Sequence, residues 1–198
     1  MALPGLTPGA AADRDEVVAS AGGRRAVFLD RDGVINAAIV RDGKPYAPTS
    51  LDALEILPGV PEALERLRAA GYLCVIVTNQ PDVAMGKAKR GDVEAMHAWL
   101  LKKLPIDAVK ACFHADSDHC ACRKPKPGLI LDAARELGID LARSYLVGDR
   151  WRDVATAQAA GCQALFIDRQ YREKQPDKPY VAVKSLHEAA GFIVRADR

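Results

Sequence analysis

Short apolar runs alternate with helical apolar stripes along most of the chain. Residues 26–29 form a compact apolar run ending on Asp30, the length of a buried strand. After Pro58-Gly59, the residues Val60, Ala63, Leu64, Leu67 and Ala70 share one helical face, and Gly71 supplies a stop. Residues 73–77 are a second strand, running into Thr78-Asn79. Asp92 is placed to cap a helix with Val93, Met96, Leu100 and Leu104 inward, and with Lys102 and Lys103 in its last turn. A short strand follows at 108–113, then a helix marked by Ile130, Ala133, Ala134 and Leu137 and closed by Gly138. Residues 145–147 lead into Gly148-Asp149 and a helix from about 153 to 160; residues 164–167 make a fifth strand. Val181–Val183 is a last short apolar run, and Ser185-Leu-His-Glu188 reads as a capping box. Strands alternating with helices predict an α/β fold: a single Rossmann-like domain whose mainly parallel sheet is covered by helices on both faces. Residues 1–24, rich in Ala, Gly and Pro without a period, read as a loose tail, which leaves 25–198 as the domain.

Composition narrows the class. The chain has 198 residues, 49% of them hydrophobic, enough for one sizeable core. Twenty-eight basic against 26 acidic residues leave a net charge of +2, without the basic footprint of nucleic-acid binding. No apolar stretch is long enough to span a membrane, and Asp13, Asp15 and Glu16 interrupt the segment where a signal peptide would need an apolar run. Five cysteines are too few, and odd in number, for a secreted disulfide scaffold. The expectation is a cytoplasmic monomer with neither a nucleic-acid nor a membrane partner.

The informative residues stand at the strand ends. Asp30 and Asp32 follow the first strand, Thr78 and Asn79 the second, Arg123 and Lys124 the connection after the third, and Asp149 the fourth. In an open parallel sheet the carboxyl ends of the strands share one edge, where ligands bind. Three gathered acids repel unless a cation compensates them, which points to a hard divalent ion such as Mg²⁺. A lysine and an arginine beside that ion make a phosphoryl site. Each residue also has a plainer reading: Asp30 as a turn cap, Thr78-Asn79 as a loop start, Lys124 as a solvated lysine, Asp153 as a helix N-terminal acid.

A second constellation lies between residues 112 and 122: Cys112, His114, Cys120 and Cys122. Three thiolates and an imidazole can close a tetrahedral Zn²⁺ site with no open position, so the expected zinc-binding loop is structural. His119 lies inside it with a less suitable spacing. The plainer readings are a core cysteine at 112, a surface His114 and redox thiols at 120 and 122. Cys74 and Cys162 fall in apolar patterns and read as small core residues.

Order and spacing together resemble the haloacid dehalogenase superfamily. Phe28-Leu-Asp-Arg-Asp-Gly-Val-Ile-Asn36 is similar to its first motif, Thr78-Asn-Gln80 to its second, Arg123-Lys-Pro-Lys-Pro-Gly128 to its third and Gly148-Asp-Arg-Trp-Arg-Asp153 to its fourth. The resemblance spans residues 26–167. It implies phosphomonoester hydrolysis through an aspartyl-phosphate, with Asp30 as nucleophile and Asp32 as general acid and base. Thr78 and Lys124 would stabilise the phosphoryl oxygens, and Asn79, Arg123 and Lys124 would bind substrate. Asp30, the backbone carbonyl of Asp32, and Asp149 would hold Mg²⁺; Asp153 would orient Lys124 or a metal-bound water. The zinc loop and the lack of room for a cap domain match the members acting on heptose bisphosphate, at its 7-phosphate, or on histidinol phosphate. Residues 33–57 have room only for a flap. The heptose substrate is the first expectation, with Arg123, Arg150 or Lys44 for its second phosphate; Asp82 would suit the cationic histidinol alternative. Pro81-Asp82-Val-Ala-Met85 and Arg150 depart from the usual residues. Two non-enzyme alternatives also gather such residues: a phospho-receiver switch and a zinc-dependent nucleic-acid module.

Overall fold

The computed structural model describes residues 23–196, so residues 1–22 of the expected tail (1–24) lie outside the described residues. Arg24, assigned to that tail by composition, belongs to the folded part. Its N–H donates to the Gly138 carbonyl and its own carbonyl accepts from Asp140, each at 2.8 Å.

The chain runs through β1 (Arg25–Leu29), a hairpin of β2 (Ile39–Arg41) and β3 (Lys44–Tyr46), α1 (Val60–Ala69), β4 (Tyr72–Asn79), α2 (Arg90–Lys103) and β5 (Ala108–Cys112). It continues through α3 (Gly128–Leu137), β6 (Tyr145–Gly148), α4 (Trp151–Ala160), β7 (Gln163–Ile167), β8 (Val181–Val183) and α5 (Leu186–Ala196). Six strands form one sheet in the order β5-β4-β1-β6-β7-β8, parallel throughout. The chain builds outward from β1 on one side, then returns to build outward on the other. That reversal places the topological switch point at the carboxyl end of β1. Leu29 pairs with Ile76 of β4 and Val147 of β6, so Asp30, Thr78 and Asp149 emerge within two residues of one line.

Strand alternation divides the core. Val27 and Leu29 join Leu64 and Leu67 of α1 and Ile193 of α5 on one face. Ala26 and Phe28 join Ile130 and Ala133 of α3 and Val154 and Ala157 of α4 on the other. Both faces of the sheet are therefore covered, which is why its strands read as continuous apolar runs.

Two helix starts and one capping box differ from the pattern-based expectation. Helix α2 starts at Arg90 after an uncapped Lys89; Asp92 lies in the first turn, where its charge suits the helix dipole, and does not cap. Helix α4 starts at Trp151, and Asp153 reaches back from its third position to accept the Arg150 N–H at 3.0 Å. At α5, Ser185 Oγ accepts from the Glu188 N–H at 3.2 Å, but the Glu188 carboxylate accepts from Lys184 rather than from Ser185. The expected flap contains the β2–β3 hairpin, antiparallel and mostly exposed. With no face in the core, it had no apolar alternation to reveal it.

Candidate active site

Each polar residue at the carboxyl edge is placed by the strand it follows. Asp30 leaves β1 and is buried. Its Oδ1 lies 2.9 Å from Lys124 Nζ and accepts the Arg31 N–H at 2.8 Å. Lys124 is also buried; its Nζ lies 2.5 Å from Asp153 Oδ1 and donates to the Val77 carbonyl at 3.0 Å. Asn79, at the end of β4, grips the Lys124 backbone: Nδ2 donates to the carbonyl and Oδ1 accepts the N–H, both at 3.1 Å. Thr78 is buried beside it, and its Oγ1 accepts from Gln80 Nε2 at 3.0 Å.

Asp149 follows β6, and both its carboxylate oxygens are buried without a hydrogen-bond partner of normal geometry. Two glycines make room for these acids, Gly33 for Asp149 and Gly148 for Asp153. Gly33, at φ 88°, would carry a Cβ 1.7 Å from Asp149 Oδ2, and a Cβ on Gly148 would lie 2.1 Å from that of Asp153. Oxygens of Asp30, Asp149 and Asp153 all fall within 4.8 Å of one another. Lys124 is the cation paired with two of these three acids. Burial, against the pull of Lys124, lifts Asp30 to about 6. Burial and then the neighbouring Asp30 and Asp153 hold Asp149 well above the usual carboxylate range. Burial works against the charge on Lys124, but Asp153 and Asp30 outweigh it and raise its pKa. A buried, unpartnered carboxylate beside two others is a donor set of hard oxygens, and it fits a divalent cation such as Mg²⁺.

Asp32 faces elsewhere. Its Oδ1 accepts from Arg31 Nε at 3.1 Å and Asn36 Nδ2 at 2.9 Å, and its Oδ2 from Arg31 Nη2 at 3.0 Å and Gln80 Nε2 at 2.9 Å. Its side chain is thus outside the acid cluster, but it opens with Asp30, Asn79, Lys124 and Asp153 on one cleft of about 200 Å³. The hairpin contributes Pro45 and Tyr46 to that cleft, the loop after β4 contributes Asp82, Met85 and Lys87, and the start of α4 contributes Arg150 and Arg152. Arg150 is paired with Glu173.

Two expected cations are placed differently from the sequence reading. Arg123 does not line this cleft: Asp116 captures its Nε at 2.6 Å and turns it toward the cysteine loop. Lys44 also lies outside the cleft lining. Lys87 and Arg152 stand there instead, neither singled out by motif spacing, although Arg152 lies inside the fourth motif. Tyr171 and Arg169 were missed too. The Tyr171 hydroxyl pulls the Asp149 pKa back down, and Arg169 donates to the Gly33 carbonyl at 3.0 and 2.9 Å.

The four expected zinc ligands come together. Cys122 Sγ lies 3.3 Å from Cys112 Sγ, 3.4 Å from Cys120 Sγ and 3.3 Å from His114 Nδ1; Cys112 lies 3.6 Å from His114 and 3.7 Å from Cys120. None of these three cysteines is in a disulfide. Donors placed tetrahedrally around zinc at its usual bond lengths stand about 3.3–3.8 Å apart. The donor set therefore fits a metal ion, and exposed His119 lies outside it.

The unpartnered Asp149 carboxylate generates a prediction. Asp149→Asn removes a carboxylate whose charge burial, Asp30 and Asp153 disfavour more than Tyr171 and Lys124 relieve. The variant should melt about 2–8 °C higher than wild type without divalent metal, from about 1–3 kcal/mol of relieved desolvation. It should also lose the rise in melting temperature that Mg²⁺ gives the wild type. Thermal scans with and without Mg²⁺ measure both.

Among the described residues, no helix is long and apolar enough to cross a membrane. A haloacid dehalogenase-like hydrolase family model matches residues 36–161. The D-glycero-beta-D-manno-heptose-1,7-bisphosphate 7-phosphatase of Rhodopseudomonas palustris is 43% identical, over 73% of this chain and 84% of its own. The Escherichia coli K12 protein of the same name is 36% identical, over 77% and 83%. The crystal structure of D,D-heptose 1.7-bisphosphate phosphatase from B. bronchiseptica, complexed with magnesium and phosphate, superposes with a TM-score of 0.75 at 31% identity, covering 87% of this chain and 99% of that one. Sheet order, family match and relatives agree: this chain belongs to the haloacid dehalogenase-like hydrolases and is a phosphatase.

Proposed function

We propose that the chain removes the 7-phosphate of D-glycero-D-manno-heptose 1,7-bisphosphate through an aspartyl-phosphate on Asp30. The observation that carries this reading is the lining of the cleft, in which Lys87, Arg150 and Arg152 join Asp30 and Lys124. A substrate with two phosphates offers one anion to the reacting group and a second to these further cations. Asp82 also faces the cleft, and Arg150 and Arg152 are paired with Glu173 and Asp116, but Lys87 has no such carboxylate partner among the described residues, which favours a second phosphate over the amine of histidinol phosphate. The relatives named as heptose bisphosphate phosphatases support the same substrate.

In the proposed reaction, an Asp30 oxygen attacks phosphorus, and the bond from phosphorus to the sugar oxygen breaks. Asp32 protonates that leaving oxygen. The Asp32 carboxylate then takes a proton from the water that cleaves the acyl phosphate, releasing phosphate and restoring Asp30. Lys124 and Thr78 donate to the phosphoryl oxygens, and Asp153 and Asn79 keep Lys124 in place. Asp30, Asp149 and the Asp32 carbonyl would hold Mg²⁺, whose charge lets an anionic phosphate approach an anionic nucleophile. Zn²⁺ held by Cys112, His114, Cys120 and Cys122 would stiffen the loop that delivers Lys124. In this arrangement Arg123 braces that loop through Asp116.

Steady-state kinetics test the substrate. Heptose 1,7-bisphosphate should be hydrolysed with a kcat/KM well above that of histidinol phosphate. Joint replacement Lys87→Ala, Arg152→Ala should lower the bisphosphate value about tenfold or more, the cost of losing a charge-assisted hydrogen bond. Preference for histidinol phosphate, or indifference to that double replacement, overturns the substrate assignment.

The metal loop is tested by elemental analysis and calorimetry. About one zinc per chain is expected. Cys122→Ala should lose the zinc, melt several degrees lower and fall in kcat as Lys124 loosens. A zinc-free protein of unchanged stability and activity contradicts the assignment.

A further inference from the structure

Arg31 stands between the two aspartates of the first motif, and its side chain is wholly buried. A guanidinium cut off from water is tolerable only when acceptors surround it. Its Nε and Nη2 form a fork on the two oxygens of Asp32, at 3.1 and 3.0 Å. Its Nη1 lies 3.0 Å from His97 Nε2, on the inner face of α2. Arginine has no lone pair to offer, so the imidazole must accept. His97 is therefore neutral, with its proton on Nδ1. Burial and then the adjacent Arg31 charge lower its pKa to about 4, which agrees with that assignment. Neither Arg31 nor His97 lines the cleft, and neither can reach a substrate there.

We infer that Arg31 and His97 are positioning residues for proton transfer: His97 fixes the roll of the guanidinium, whose fork aims the Asp32 carboxylate at the leaving oxygen. Asn36 and Gln80 hold the same carboxylate from its other sides. A planar fork sets the plane of a carboxylate, whereas single donors leave it free to swing. The third anchor matters because a guanidinium with Nη1 unsatisfied turns toward another acceptor and carries Asp32 with it. A misplacement of about 1 Å is enough to cost a hundredfold in rate. The inference rests on the proposed role of Asp32 as the acid.

Aryl phosphates of graded leaving-group acidity, from phenyl to p-nitrophenyl phosphate, separate positioning from folding. The kcat/KM value reports the steps up to leaving-group departure. Protonation matters for phenol and hardly at all for p-nitrophenol. His97→Leu should cost about threefold or less on p-nitrophenyl phosphate but about tenfold or more on phenyl phosphate, a steeper dependence than wild type. His97→Gln, whose amide oxygen still accepts from Arg31, should restore the shallow dependence. Arg31→Lys, which keeps the charge without the fork, should be steep as well and serves if His97→Leu does not fold. Asp32→Asn marks the full loss of the acid. Equal losses across the series in His97→Leu, or none, overturn the positioning role. If Asp32→Asn itself keeps the wild-type slope, the reading of Asp32 as the acid fails, and the inference falls with it.

Discussion

Lys124 is buried between Asp30 and Asp153, and the rest of the carboxyl edge is organised around that burial. A lysine without water needs its carboxylates, and the carboxylates need it. The pairing leaves Asp149 over, pressed against Gly33 and without a cation paired to it. Sheet topology creates this concentration of charge, because parallel strands meeting at a switch point bring their terminal residues to one place. A divalent cation would resolve it. The site thus resembles other functional sites in which local stability is given up for reactivity.

The same constraint separates two acids that stand two residues apart. Asp30 faces Lys124 and the other carboxylates, whereas Asp32 faces Arg31, Asn36 and Gln80. Different surroundings allow one side chain to serve as nucleophile and the other as proton carrier, a common way for paired carboxylates to divide their work. The loop bearing Lys124 must be stiff for this to hold. Asn79 clamps its backbone from β4, and the cluster ending at Cys122 anchors it from the other side.

Residues at strand ends were legible because a buried strand is a continuous apolar run, and the first polar residue after it stands out. Asp30, Thr78 and Asp149 were found that way, and the Cys/His cluster through ligand types at short spacing. What stayed hidden depends on contacts that no local pattern encodes. Arg31 looks like a spacer within Asp-Arg-Asp, yet it is wholly buried. His97 left a faint signal: it shares the apolar stripe of Val93, Met96 and Leu100, where a polar residue needs a buried partner. Tyr171 and Glu173 lie in an aperiodic polar segment and gain meaning only from Asp149 and Arg150. The placement of Arg123 was not legible because its partner, Asp116, sits in a loop whose shape the sequence does not reveal.

The most direct test of this division of labour is rapid quenching of the wild-type enzyme during turnover, followed by mass spectrometry of its peptides. The account predicts a Mg²⁺-dependent acyl phosphate on Asp30 that is absent in Asp30→Asn and persists longer in Asp32→Asn, which lacks the base for its hydrolysis. A phosphoryl group on any other residue, or a burst of product with Asp30 unmodified, would contradict it.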